Sequence, residues 1–149
     1  MRLNLGAGSN LFNGIGWVNV DRVLLPGIQC VHDLDAPGPW PFADGVAEQI
    51  VAKDIFEHVA DPIKFMTECH RILAPGAGLF IHCPYYRGRD AYTDPTHRRF
   101  PTEHTFDFWI PGTLLFSRNN LAYGGVSFTR RSMEVSRETI AVSLVKSGV

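Results

Sequence analysis

A succession of short apolar runs, each closed by glycine, an acid or proline, constrains this chain more than any other feature. Leu3-Asn4-Leu5 runs into Gly6-Ala7-Gly8, and Trp17-Val18-Asn19-Val20 into Asp21. Ile28 to His32 is closed by Asp33, Gln49 to Ala52 by Asp54 just beyond, and Leu79 to Cys83 by Pro84. Runs this short, separated by turn residues, read as strands of a buried parallel sheet. Between the fourth and fifth runs, Phe65, Met66, Cys69, Ile72 and Leu73 share one face of a helix predicted from about Asp61 to Leu73. Asp61 suits its cap, Pro62 its first position, and Pro75-Gly76 its stop. A second helix is expected near Thr102, burying Phe106, Trp109 and Ile110. After it, Val126 to Val135 and Thr139 to Val145 alternate around Ser136-Arg137-Glu138 as an antiparallel hairpin does. Gly6 to Gly16 is barely long enough for a parallel crossover, so a loop with at most a turn or two of helix is expected there. The fold expected is α/β: a Rossmann-like three-layer sandwich, a mostly parallel sheet ending in an antiparallel C-terminal hairpin.

Its 149 residues suit a single domain over 1–149. With 45% hydrophobic and 19% charged residues, the composition argues against intrinsic disorder. A formal net charge of -1 gives no global pull toward nucleic acid or anionic lipid. No apolar run approaches the roughly 20 residues of a membrane span. The first strand is expected to begin at once, so no signal peptide is expected. Cys30, Cys69 and Cys83 have no framework spacing, so reduced thiols and a cytoplasmic location are expected.

In an open α/β sheet, ligands lie beyond the carboxyl ends of the strands. Here those ends carry Gly6-Ala7-Gly8, Asp21, Asp33-Leu34 and Asp54, the last followed by Glu57 and His58. Glycines let a backbone approach a ligand closely, and a carboxylate suits the vicinal hydroxyls of a ribose. Asp33 with Leu34 pairs an acceptor with an apolar surface, as a purine requires. Singly, each serves equally as a turn or helix-cap residue. Their recurrence in order after successive strands favours a shared ligand site.

The ordered set resembles the class I S-adenosylmethionine-dependent methyltransferases. The matching segments are Leu3 to Gly8, Val18-Asn19-Val20-Asp21, His32-Asp33-Leu34, Phe56-Glu57-His58-Val59, Arg71 to Gly76 and Asp94-Pro95-Thr96-His97-Arg98-Arg99-Phe100. The last looks like a branch of small bacterial and phage methyltransferase-domain proteins. The resemblance implies S-adenosylmethionine as cofactor. Gly6, Ala7 and Gly8 would line its methionine portion, Asp21 its ribose hydroxyls, and Asp33 and Leu34 its adenine. Asp54 would face the methionine group and open toward the acceptor. His58 matches the family's Glu-His pair, with a bracing role open to it. Two features depart from expectation. The third glycine of a dinucleotide fingerprint is absent, which disfavours an NAD-dependent oxidoreductase. Helices before the first strand, common in the family, are also lacking, which leaves open a non-catalytic binding module or cover from another subunit.

Tyr85 to Arg99 forms a long polar and aromatic loop on the carboxyl side of the sheet. Tyr85 and Tyr86 are expected to stack on an acceptor, and Arg89 and Arg98 to meet an anionic one; a solvated, salt-bridged loop is the alternative. His97 is the candidate general base, with Asp94 to orient it, although the Asp-Pro-Thr-His run serves equally as a structural turn. Cys30 with His32, and His82 with Cys83, lack metal-site spacing, so no metal is expected. The partner expected is an unidentified methyl acceptor, a small molecule or sugar. Nucleic acid is unsupported, and a homodimer through the hairpin edge is compatible with the sequence.

Overall fold

The computed structural model describes residues 1–148. Its centre is one seven-stranded sheet in the order β3-β2-β1-β4-β5-β7-β6, with β1 Arg2–Leu5, β2 Trp17–Asp21, β3 Cys30–Val31, β4 Ala47–Lys53, β5 Leu73–Pro84, β6 Phe128–Val135 and β7 Thr139–Lys146. Strands β1 to β5 pair in parallel, and β7 runs antiparallel between β5 and β6. This is the Rossmann-like α/β architecture with the antiparallel terminal hairpin expected from the sequence. Because the chain moves outward in one direction from β1 to β3 and in the other through β4, its switch point lies between β1 and β4. A crevice opens there at the carboxyl ends.

Alternation along the strands assigns the core. Leu3, Leu5, Val20, Ile50, Ala52, Leu79, Ile81, Val142 and Leu144 are almost fully buried. Their registers, Leu3↔Ile50, Ile50↔Leu79 and Leu79↔Leu144, set them side by side on one face. Helix α1, Pro62–Ile72, lays Phe65, Met66, Cys69 and Ile72 into the core. An aromatic chain runs through it: Trp40 to Phe65 at 5.6 Å, Phe65 to Phe56 at 5.6 Å, and Phe56 to Phe106 at 5.3 Å. At the β1–β2 end of the opposite face, Asn4 Nδ2 donates to Asn19 Oδ1 and to the Asn10 carbonyl. Asn19 Nδ2 donates to the carbonyls of Phe12 and Gly27. The Gly6–Gly16 connection therefore packs as a hydrogen-bonded loop without a helix.

The α1 cap is the expected one: Asp61 Oδ1 accepts from the amides of Ile63 and Lys64 at 2.9 Å each. Glu68, nearly buried on the same helix, accepts from the Trp40 amide at 2.6 Å and from Arg71. Arg71 also reaches Asp44 and the Trp40 and Phe42 carbonyls. Together these bonds tie the β3–β4 connection to the helix.

The structure departs from sequence expectation in three elements. β3 is only two residues long, because the chain turns away at Asp33, whose side chain accepts from the Asp35 amide. β5 begins at Leu73, directly after α1, and carries Pro75-Gly76 inside an irregular stretch where register shifts between Ala47 and Gln49. The expected second helix is a 3-10 turn, Thr105–Trp109. Pro111 holds Ile110 extended and denies that turn the length an α-helix needs, while Phe106, Trp109 and Ile110 are buried as expected. Two short helices went unforeseen, α2 Asp90–Thr93 and α3 Leu114–Asn119. Among the described residues, no helix is long and apolar enough to cross a membrane.

Candidate functional site

The crevice is a cavity of about 680 Å³, within the range of small-molecule sites. Gly6, Asp21, Asp33 with Leu34, and Asp54, from four different strand ends, line it together. Ala7 and Gly8 lie outside that lining. The Gly8 amide donates to Asp21 Oδ2 at 2.8 Å, and the Ala7 amide to the Val20 carbonyl at 3.0 Å. Asp21 Oδ1 accepts from the Val23 amide at 2.9 Å. Asp21 thus fixes the glycine turn to β2, and its oxygens keep lone pairs for further donors.

Gly6 holds φ +62°, and a β-carbon there would lie 2.6 Å from Ile55, which lines the cavity. Asp54 also holds a left-handed φ, +54°. Its amide donates to the His82 carbonyl and its Oδ1 sits 2.8 Å from His82 Nδ1, so neighbouring β5 maintains that conformation. Asp35 Oδ1 accepts from the Ala60 amide, binding the Asp33–Asp35 turn to the segment after β4.

Sequence reasoning missed His32, Ile55, Val59 and Thr96 as lining residues. His32 Nε2 is buried and lacks a hydrogen-bond partner, so the wall holds a polar atom that only a ligand or water can satisfy. Asp21, Asp33, Asp35 and Asp54 outnumber Arg22 and Arg98, which favours a cationic guest. An adenosyl sulfonium, with a ribose diol, a purine and a positive centre, fits this wall.

The long loop divides. Pro95, Thr96 and Arg98 line the cavity; Tyr85, Tyr86 and Arg89 lie outside its lining. Tyr85 is buried and donates from its hydroxyl to Glu103, while Tyr86 accepts from Arg87. The Arg89 amide donates to Glu138. At the far end of the loop, the amides of Arg98 and Arg99 both donate to the Glu57 carbonyl, at 2.8 and 3.2 Å.

His97 does not line the cavity; His58, packed edge-on against it with ring centroids 4.7 Å apart, does. His97 Nδ1 lies 2.9 Å from the Ala91 carbonyl and can only donate to it. Its Nε2 is 3.9 Å from both Glu57 Oε1 and Asp94 Oδ2. Glu57 is 1% exposed and its Oε2 has no hydrogen-bond partner. Burial lifts its carboxyl to about 7, and the nearby Asp54 adds to that shift. Burial lowers the His58 imidazole. Hydrogen bonds from the Thr96 hydroxyl and amide lower Asp94. No spacing rule joins Glu57-His58 to His97, so this cluster is not legible before the chain is folded.

Comparison with known proteins bears on the fold and on one segment of the chain. The methyltransferase domain family matches residues 19–81, which run from β2 into β5. A probable S-adenosylmethionine-dependent methyltransferase of Mycolicibacterium smegmatis is 32% identical over 82 residues. That match covers 52% of this chain and 31% of the relative, so the chain spans about a third of that protein's length. Among solved structures, the Haloferax volcanii protein seen in complex with the Trm112 methyltransferase activator superposes with TM-score 0.67 at 14% identity, over 99% of this chain and 82% of that one. Burkholderia thailandensis 1,6-didemethyltoxoflavin-N1-methyltransferase, solved with S-adenosylhomocysteine, gives 0.62 at 13%, over 99% and 71%. The matched segment 19–81 is seated in this fold, and over it the chain is similar to methyltransferase domains.

Proposed function

We propose that the cavity binds S-adenosylmethionine and that the domain transfers its methyl group to a small-molecule or sugar acceptor. The observation that carries this reading is the convergence of Gly6, Asp21, Asp33, Leu34 and Asp54 on one cavity despite their separation in sequence. Asp21 takes the ribose diol, and Asp33, Leu34 and His32 the adenine. Gly6, backed by Ala7 and Gly8, takes the methionine portion with Asp54. The cofactor supplies an electrophilic methyl group; the protein's task is to orient an in-line nucleophile and exclude water. The acceptor enters along His58, Thr96 and Arg98, and His97 supports that wall from behind His58. Free Cys30, Cys69 and Cys83 suit a reducing compartment, and we assign the protein to the cytoplasm.

Isothermal titration with S-adenosylhomocysteine tests the cofactor reading. Tight binding without binding of NAD is expected, and the reverse result ends it. Asp21→Ala is expected to weaken that binding by about 1–3 kcal/mol; unchanged affinity removes Asp21 from the site.

A further inference from the structure

Beside the cofactor cavity, Glu57, His58 and His97 bring together one carboxylate oxygen and two imidazole nitrogens, all within 4.8 Å of one another. Two come from the segment after β4 and the third from the loop after α2, so chain neighbourhood alone does not create the cluster. The carboxylate is 1% exposed and leaves an oxygen unpaired, which a structural side chain in a packed core rarely does.

Both imidazoles are oriented in the way that metal-binding histidines are. His97 donates from Nδ1 to the Ala91 carbonyl, which leaves Nε2 with its lone pair facing Glu57 and Asp94. His58 Nδ1 lies 3.0 Å from Thr96 Oγ1, and that hydroxyl also lies 2.7 Å from Asp94 Oδ1. A carboxylate only accepts, so the Thr96 hydrogen goes to Asp94 and the His58 Nδ1–H donates to Thr96. Each ring is therefore pinned through Nδ1 with Nε2 left as the lone-pair atom. Separations of 3.9 Å between His97 and each carboxylate are too long for hydrogen bonds. They are close to the roughly 3.3–3.6 Å between ligands that bonds of about 2.0–2.2 Å to a shared ion produce.

We propose that Glu57, His58 and His97 form a site for a divalent first-row transition metal, with Asp94 able to join as a fourth ligand. Two imidazoles with one carboxylate suit manganese, ferrous iron, cobalt or zinc and are a poor match for the all-oxygen preference of calcium or magnesium. Three protein ligands leave coordination positions open, and His58 lines the cavity, so those positions face it. An acceptor bearing a hydroxyl or a vicinal diol completes the shell there, which narrows the acceptor class to oxygen ligands of a metal. That narrowing rests on the methyl-transfer reading; the metal site itself does not.

The test uses the full chain stripped with a chelator, titrated with Co²⁺ by visible absorption and with Zn²⁺ by calorimetry. One ion per chain is expected, with cobalt bands of low-symmetry nitrogen and oxygen coordination. Loss of a mere outer partner of a metal ligand costs about 10–100-fold in affinity. Glu57→Gln is therefore expected to lose at least about 100-fold, and His104→Gln, altered at an exposed imidazole elsewhere, nothing. If Glu57→Gln unfolds, judged by circular dichroism, the same comparison on His97→Gln decides. Equal Co²⁺ affinity in wild type and ligand variants overturns the proposal, as does a wild-type protein that binds S-adenosylhomocysteine but no metal. Metal binding that survives without S-adenosylhomocysteine binding overturns the cofactor reading alone.

Discussion

A β-carbon at position 6 would stand 2.6 Å from Ile55 Cγ1 on a backbone already at φ +62°. Gly8, at φ +48°, has nothing within 4 Å of the same added atom. Ala at either position meets the left-handed backbone cost of about 1–3 kcal/mol, but only at position 6 does a side chain also have to move. Gly6→Ala is therefore expected to destabilise more than Gly8→Ala in urea unfolding, and to weaken S-adenosylhomocysteine binding by shifting Ile55 in the cavity wall. Equal losses would show that Ile55 yields freely. At this scale much of the cavity lining was legible. Gly6, Asp21, Asp33, Leu34 and Asp54 were recognisable because each follows a strand, and strand ends in this fold converge. His58 and His97 were legible as motif residues but not as neighbours, since only the folded loop sets one ring against the other. Tyr85 and Tyr86 misled because an aromatic pair after a strand looks alike whether it faces a ligand or, as at Tyr85, a buried hydrogen bond to Glu103.

Among the elements, α1 carries the most consequential polar pair. Burial alone would raise the Glu68 carboxyl, but bonds from Arg71 and the Trp40 amide outweigh it and hold Glu68 below its ordinary 4.5. A carboxyl lowered on folding stabilises the fold fully above that ordinary value, and the contribution fades as pH falls through the lower folded value. Glu68→Gln is thus expected to cost about 1.5–3 kcal/mol near neutral pH, a gap that narrows in acid below 4.5. Chemical denaturation of both proteins across that range checks it; a gap constant with pH would assign the loss to packing. Helix α1 and the hairpin were legible because cap, face and turn all lie in contiguous sequence. The 3-10 turn and the two-residue β3 were not. Their extent depends on Pro111 and on the turn at Asp33, which override the apolar pattern.

For the molecule as a whole, β7 matters more than its late place in the chain suggests. It lies inside the sheet between β5 and β6, with Ile140, Val142 and Leu144 almost fully buried. Leu144→Ala, opposite Leu79, is expected to cost about 2–5 kcal/mol. Since one core runs from β1 to β6, that loss is expected in the whole unfolding transition. Tryptophan fluorescence from Trp17, Trp40 and Trp109 and far-ultraviolet dichroism should shift together; separate midpoints would show the hairpin melting by itself. A single carbonyl, that of Glu57, receives the amides of both Arg98 and Arg99. The rim beside the cavity is consequently a hasp rather than a flap. An excursion of that rim wide enough to free Arg98 and Arg99 would pull His97 from Glu57 in the same stroke.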